Sequence, residues 1–157
     1  MNEQSSPPAA GAAVPPPFVF LGFLLAGIGL ELIFPLEVIP AVLGQVLGGL
    51  LFLAGLALGI NAIRLMMRAG TSPDPHDPSA ALVSEGPFRF TRNPIYLSMA
   101  LLYAGIAVFF DAIWALLLLP LALVVIDRYQ IRREERYLEQ RFGEEYASYK
   151  RRVRRWI

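Results

Sequence analysis

Cysteine is absent from this 157-residue chain, and histidine occurs once, as His76. The absence of cysteine excludes a disulfide scaffold, a thiolate zinc site and cysteine nucleophile chemistry. His76 lies in the proline-rich stretch 72–78, which is typical of a surface loop. We therefore expect His76 to be a loop residue and the protein to hold no metal.

Charged residues are also scarce, at 17% of the chain, against about 25% in soluble domains. The segments 18–63 and 94–126 contain only three charges, Glu31, Glu37 and Asp111. A water-soluble core does not use so much uninterrupted apolar sequence, so an ordinary soluble domain is excluded. The length suits one domain, which we place at 18–157 behind a disordered, Pro/Ala/Ser-rich lead at 1–17.

The apolar runs predict an all-α integral membrane fold with four transmembrane helices, at about 18–36, 42–63, 94–110 and 112–128. A spanning helix needs roughly 20 apolar residues. The run 94–126 is too long for one such helix, so we expect a tight hairpin that turns at Phe110 and Asp111. Asp111 is the expected N-cap of its second helix. The sequence leaves open whether this hairpin crosses the bilayer fully.

All fourteen basic residues fall on one side of this four-span arrangement or at its edge. With an even number of spans, the N-terminus, the loop 68–93 and the C-terminal segment 129–157 share that side. Because basic loops stay in the cytoplasm, we expect a protein of the cell membrane with both termini cytoplasmic.

The segment 127–157 carries ten basic and six acidic residues. Its apolar positions predict an amphipathic cytoplasmic helix that continues from the last span and breaks at Gly143. The basic cluster at 150–155 is expected to rest on anionic headgroups. We therefore expect membrane lipids, and not nucleic acid, as its partner.

Small residues recur at four-residue spacing in the second predicted span, at Gly44 and Gly48 and again at Gly55 and Gly59. Such spacing lets helix backbones approach closely in lipid. It indicates either packing of the first two helices against each other or a dimer interface, and the oligomeric state stays open.

Polar residues gather where the third span enters the bilayer and just beyond the last one. The first group includes Arg92, Asn93 and Tyr96, and the second is the pair Glu134 and Glu135. Both groups lie at the cytoplasmic interface because the last two helices form a hairpin. Together they predict a polar pocket where a charged small molecule meets an amphiphilic one.

Each of these residues also has a simpler interpretation. Arg92 would anchor a helix at the headgroups, and Tyr96 would belong to the aromatic belt of the interface. Glu134 and Glu135 would pair along one helix face with neighbouring basic residues, namely Arg132, Arg133 or Arg136.

Two motifs distinguish between these interpretations. Leu-Val-Ser-x-Gly-Pro-Phe-Arg-Phe-x-Arg-Asn-Pro-x-Tyr at 82–96 is followed about 40 residues later by Glu-Glu-x-x-Leu-x-x-x-Phe-Gly-x-x-Tyr-x-x-Tyr at 134–149. Their order, spacing and membrane placement resemble the superfamily of isoprenylcysteine carboxyl methyltransferases and phospholipid methyltransferases. These are integral membrane enzymes that use S-adenosylmethionine.

The resemblance implies an S-adenosylmethionine-dependent methyltransferase that acts on a lipid-like or prenylated small-molecule acceptor. Arg92 becomes the expected catalytic residue. Glu134 matches the acid that contacts the cofactor, at its methionyl ammonium, and Glu135 is expected to matter less because it points about 100° away round the helix. The other positions expected at the cofactor are Leu82, Val83, Phe88, Asn93, Pro94, Ile95 and Tyr96.

Two positions depart from the prenylcysteine enzymes. Asn93 stands where they have histidine, and an amide cannot carry a proton in catalysis. Gln130 stands where they have a substrate-binding arginine, and a neutral amide is a poorer partner for a carboxylate. Gln130 is therefore the expected substrate-binding position of an altered site. Two alternatives to this assignment remain: a phospholipid headgroup N-methyltransferase, and a non-catalytic membrane module that keeps the fold.

Overall fold

The computed structural model describes residues 14–74, 77 and 79–157, and all its regular elements are helical. The predicted all-α fold is therefore confirmed within those residues. The predicted lead lies outside them up to residue 13, as does His76, and the first helix begins at Pro16. The α-helices are α1 (Pro16–Ile33), α2 (Ala41–Arg68), α3 (Pro94–Phe109), α4 (Ile113–Ile126), α5 (Arg132–Phe142) and α6 (Glu144–Arg152).

Within the described residues, three helices are long and apolar enough to cross a membrane: α1, α2 and the continuous helix Ile113–Phe142. Helix α3 is apolar but has only 16 residues, so it is about 24 Å long against a hydrocarbon core of roughly 30 Å. Helices α1, α2 and α3 begin with or directly after a proline. Proline suits a helix start because the backbone N–H groups of the first turn have no acceptor within the helix, so the N–H that proline lacks is not needed.

Helix α2 packs along α3, and helix α1 packs along α4. A Cβ atom on Gly48 would lie 2.5 Å from the backbone nitrogen of Phe109, and one on Gly27 would lie 2.3 Å from the Cα of Ala115. The prediction that the α2 glycines pack the first two helices together is therefore wrong. Gly44, Gly48 and Gly55 are buried against α3, because their missing side chains let these two backbones meet.

The turn between α3 and α4 differs from its prediction. Asp111 has a φ of 52° and does not cap α4, whose N-cap is Ala112. Its carboxylate instead accepts hydrogen bonds from the backbone nitrogens of Val38, at 2.9 Å, and Ile39, at 3.0 Å. The first turn of α4 is served by Glu31 of α1, which accepts from the nitrogen of Trp114 at 3.3 Å. Asp111, between α3 and α4, thus binds the backbone of the connection between α1 and α2. Glu31 of α1 in turn binds the backbone of α4.

The chain does not leave the helix at the end of α4. A π-helical segment, Asp127–Ile131, joins α4 to α5 without a break. Gly143, with a φ of 53°, then separates α5 from α6, and glycine adopts this conformation without steric cost. The continuous helix carries Gln130, Glu134 and Glu135 beyond the apolar part of the bundle, next to the start of α3.

Candidate functional site

An open cleft lies where the start of α3 meets α5 and α6, with about 930 Å³ of empty space counting its mouth. Its walls include nine of the ten residues that the sequence predicts for the site: Leu82, Val83, Phe88, Arg92, Asn93, Pro94, Ile95, Tyr96 and Glu134. The remaining described walls come from Met66 of α2, from the described residues of the loop 71–81, from α5 and from Tyr146 and Tyr149 of α6. Segments far apart in sequence therefore form one cleft.

Tyr96 and Glu134 join the two motifs directly. The Tyr96 hydroxyl donates a hydrogen bond to Oε1 of Glu134. The Gln130 amide donates to the same oxygen at 2.7 Å. Both bonds fall on Oε1, so among the described residues Oε2 of Glu134 has no hydrogen-bond partner. Glu134 lines the cleft, and these two hydrogen bonds leave its Oε2 unengaged.

Gln130 is the predicted site residue that does not line the cleft. Its side chain is buried, with 4% of the residue exposed, and lies behind Glu134. The geometry shows a residue that orients Glu134, and no contact with the cleft supports its predicted role in binding the acceptor.

Glu135 also borders the cleft and forms a buried ion-pair network. One of its oxygens, Oε1, lies 3.1 Å from Nη1 of Arg92, and the side chains of both residues are about nine-tenths buried. Arg155 donates to both Glu135 oxygens, at 3.0 and 2.6 Å. The same guanidinium reaches Asp127 at 3.2 Å. Hydrogen bonding to Glu135 raises the pKa of Arg155 further above its ordinary value.

The simpler interpretation of the two glutamates is therefore wrong. Neither Glu134 nor Glu135 pairs with Arg133 or Arg136 in the described structure, and Arg132 pairs with Asp127 at 3.3 Å. The two carboxylates point to different partners because neighbouring residues project about 100° apart round a helix.

The C-terminal tail holds the segment that precedes α3. The carbonyl of Arg155 accepts from Asn93 Nδ2 at 2.9 Å and from the Thr91 hydroxyl at 3.1 Å. The carbonyl of Arg154 accepts from the Arg92 backbone nitrogen at 3.0 Å. Asn93 thus lines the cleft and is fixed by the tail. The expectation that the basic cluster rests on headgroups does not hold for Arg155, whose side chain forms ion pairs with Glu135 and Asp127.

Helices α5 and α6 hold the loop that covers the cleft. The Tyr149 hydroxyl donates to the carbonyl of Phe88 at 2.7 Å, and the Tyr137 hydroxyl accepts from the Ser79 nitrogen at 2.9 Å. Burial raises the pKa of Tyr146 to about 12, with the Glu135 charge adding to it. Burial also raises the pKa of Tyr149. Both phenols therefore stay protonated at neutral pH.

Sequence reasoning missed Arg155, Asp127 and the role of Glu135. No local spacing indicates them, since Arg155 lies 20 positions from Glu135 and 28 from Asp127. The paired tyrosines at 146 and 149 did carry a signal, because their spacing places both on one face of a helix. No group of His, Asp or Glu side chains among the described residues is arranged to hold a metal ion.

The fold and the cleft define a helical membrane protein with a polar pocket at the ends of its apolar helices. The sequence profile of the phospholipid methyltransferase family matches residues 43–145 of this chain. The protein therefore belongs to the phospholipid methyltransferase family, a family of membrane methyltransferases.

One curated relative is a protein of Haemophilus influenzae that is described only as uncharacterized. It is 41% identical over 63 residues, which are 40% of this chain and the full length of the relative. No solved structure matches the chain.

Proposed function

We propose that this protein is an S-adenosylmethionine-dependent methyltransferase of the cell membrane that acts on an amphiphilic or lipid-like acceptor. The observation that carries the proposal is the meeting of the two motifs in one cleft, through the hydrogen bond between Tyr96 and Glu134. Family membership supports the transfer of a methyl group.

The residues of the cleft fit the cofactor. The free Oε2 of Glu134 suits an ammonium group, and Tyr96 and Gln130 hold this carboxylate in place. Phe88 and Ile95 supply apolar contact surface, and the backbone at Leu82 and Val83 borders the same space. S-adenosylmethionine supplies an already activated methyl group, so the protein needs no nucleophile of its own.

The work left to the chain is positioning and the exclusion of water. The loop 79–90, held by Tyr137 and Tyr149, covers one side of the cleft. Arg92, the proposed catalytic residue, contributes a positively charged guanidinium whose nitrogens are hydrogen-bond donors and not acceptors. It orients and stabilises charge and does not transfer protons.

The membrane arrangement belongs to the same proposal. Helices α1, α2 and α3 and the continuous helix Ile113–Phe142 form four spans, of which α3 is the shortest, and both termini lie in the cytoplasm. The cleft then opens at the cytoplasmic interface, where a soluble cofactor meets a lipid. A reporter fused after Ile157 should be active only as a cytoplasmic reporter, and activity on the opposite side would overturn this topology.

A second candidate function, N-methylation of a phospholipid headgroup, is favoured by the charge of the cleft. Its described walls contain the acids Asp74, Asp77, Glu134 and Glu135 and one cation, Arg92. Glu135 is paired with Arg92 and Arg155, and Glu134 is assigned to the cofactor, so the acceptor faces the acids of the loop, which attract an amine and repel a prenylcysteine carboxylate.

Calorimetry of the purified protein with S-adenosylhomocysteine tests the cofactor, and radiolabelled methyl transfer tests the reaction. Acceptors should include a phosphatidylethanolamine and farnesylcysteine, with Glu134→Gln as the inactive control. Labelling of either acceptor supports the enzyme, and a preference for the amine supports the second candidate. Cofactor binding without transfer to any lipid extract would instead indicate a non-catalytic module, and absence of binding would overturn the proposal.

A further inference from the structure

The guanidinium of Arg92 lies in the wall of the cleft with unused donors. Its side chain is only 9% exposed, and Nη1 lies 3.1 Å from Oε1 of Glu135, yet neither Nε nor Nη1 makes an aligned hydrogen bond to any described residue. Buried charged donors are almost always hydrogen-bonded in folded proteins. Two unused donors on a buried arginine that borders a cleft point to a ligand oxygen.

Arg155 explains why these donors are unused. It binds Glu135 with two nitrogens, Nε to Oε1 at 3.0 Å and Nη2 to Oε2 at 2.6 Å, which is the fork geometry preferred by arginine and carboxylate. Oε1 of Glu135 therefore lies 3.1 Å from Nη1 of Arg92 and attracts its charge, but the two side chains do not form an aligned hydrogen bond. Asp127 holds the third nitrogen of Arg155 and fixes it in this position.

We propose that Arg92 is an oxyanion-binding residue of the cleft and that Arg155 is the positioning residue that keeps it available. The inference rests on the proposed function and deepens it. The oxyanion is a carboxylate or a phosphate, from the amino-acid end of the cofactor or from the headgroup of a phospholipid acceptor. Without Arg155, the Glu135 carboxylate turns to Arg92, pairs with it fully and removes the anion site.

The test compares Arg155→Gln with Arg154→Gln, a matched change in the same tail. The Arg154 guanidinium is exposed and, among the described residues, reaches only the Ile157 carbonyl, at 3.5 Å. Binding to detergent-solubilised protein is measured for S-adenosylhomocysteine, for methylthioadenosine, which lacks the amino-acid end, and for glycerophosphoethanolamine, a soluble phosphate-bearing headgroup.

If the oxyanion is the cofactor carboxylate, Arg155→Gln weakens S-adenosylhomocysteine about tenfold and leaves methylthioadenosine within about twofold. If it is a headgroup phosphate, the same variant weakens glycerophosphoethanolamine and leaves both nucleosides unchanged. Arg92→Gln should reproduce either pattern, Arg155→Lys should restore part of the affinity, and Arg154→Gln should change nothing.

Equal losses for S-adenosylhomocysteine and methylthioadenosine in Arg155→Gln would show a merely structural role and overturn the inference. Unchanged binding of all three probes would overturn it as well, as would equal effects of Arg154→Gln and Arg155→Gln. Failure of the wild-type protein to bind either nucleoside would overturn the proposed cofactor, and the headgroup probe would then decide the anion site independently.

Discussion

Tyr96 and Glu134 lie 38 positions apart in the chain and share a hydrogen bond at the wall of the cleft. The phenol sits in the first turn of α3, and the carboxylate sits in the first turn of α5. Because the Gln130 amide donates to the same carboxylate oxygen, the other oxygen is left for a ligand. This arrangement makes Glu134 the residue on which the cofactor proposal is most directly tested.

Glu134→Gln should weaken binding of S-adenosylhomocysteine by about 1.5–3 kcal/mol, the usual range for a hydrogen bond to a charged group. Glu139→Gln is the matched control, since Glu139 lies on the same helix and pairs with Lys150 away from the cleft. Calorimetry measures the affinity of both variants for S-adenosylhomocysteine, and only Glu134→Gln should lose affinity. A similar loss in the two would mean that the general negative charge of α5 attracts the ligand and that Glu134 has no specific role.

Tyr96→Phe removes the phenol donor and leaves Glu134 with the Gln130 amide alone. We expect a loss of cofactor affinity that is smaller than that of Glu134→Gln, and strong coupling between the two changes. In a double-mutant cycle, residues in direct contact show interaction energies of about 0.5–3 kcal/mol. Additive losses would indicate that Tyr96 contributes to binding by a route that does not involve Glu134.

The sequence predicts the helical fold and nine of the residues that line the cleft, because both rest on local patterns. Long apolar runs indicate helices in lipid, and the two motifs are short stretches of sequence that carry the family resemblance from which the cleft residues follow. The helix pairing was not predictable in this way. Glycine spacing shows that α2 approaches some helix closely, and only the tertiary structure shows that this helix is α3.

The roles of Glu135, Asp111 and Arg155 escape sequence analysis for a related reason. Each of these charged side chains is satisfied by groups 20 or more positions away. Local rules assign an acid to its own helix, as a cap or as a partner of a nearby arginine. The tertiary structure instead uses these side chains to join separate segments, and that pairing has no local signature.

Raising the pH should release the loop over the cleft. The Tyr149 hydroxyl donates to the carbonyl of Phe88, and burial raises the pKa of Tyr149 above its ordinary value near 10. Because the folded state keeps this proton more tightly than the unfolded state, its contribution to stability is complete below about pH 10 and declines as the pH rises further.

This pH dependence is measured as the free energy of unfolding in detergent between pH 8 and 11, at those pH values where unfolding of the wild type is reversible. Tyr149→Phe should lower stability at pH 8 and flatten the decline above pH 10. Tyr129→Phe is the control, because Tyr129 is 73% exposed. A slope that is the same in wild type and Tyr149→Phe would exclude this tyrosine as a source of the decline.

Gly48→Ala should destabilise the bundle by about 1–3 kcal/mol, the usual cost of overpacking. The added Cβ would lie 2.5 Å from the Phe109 nitrogen and 2.6 Å from the Gly105 oxygen, so α2 and α3 would have to separate. Gly49→Ala places the same methyl group where nothing lies within 4 Å. Denaturation of both variants in mixed micelles gives the comparison, and equal stabilities would contradict the close packing of α2 on α3.

Gln130→Arg should weaken cofactor binding instead of creating a site for an acceptor carboxylate. The sequence alone favours the second outcome, because prenylcysteine enzymes have arginine at the matching position. In this structure Gln130 is buried behind Glu134 and donates to its Oε1 at 2.7 Å. A guanidinium at that place would pair with Glu134 and neutralise the carboxylate that we assign to the cofactor ammonium, and burying it would also require desolvation.

The measurement combines calorimetry with S-adenosylhomocysteine and methyl transfer to farnesylcysteine. Gln130→Glu is an unsuitable control because it adds a like charge beside Glu134, so Gln130→Met, which keeps the size and removes the amide, is preferred. We expect Gln130→Met to weaken cofactor binding modestly and Gln130→Arg to weaken it by about tenfold or more, with no gain in farnesylcysteine methylation. Improved methylation of farnesylcysteine in Gln130→Arg would show that the side chain at 130 reaches the acceptor, and the orienting role assigned to Gln130 would then be wrong.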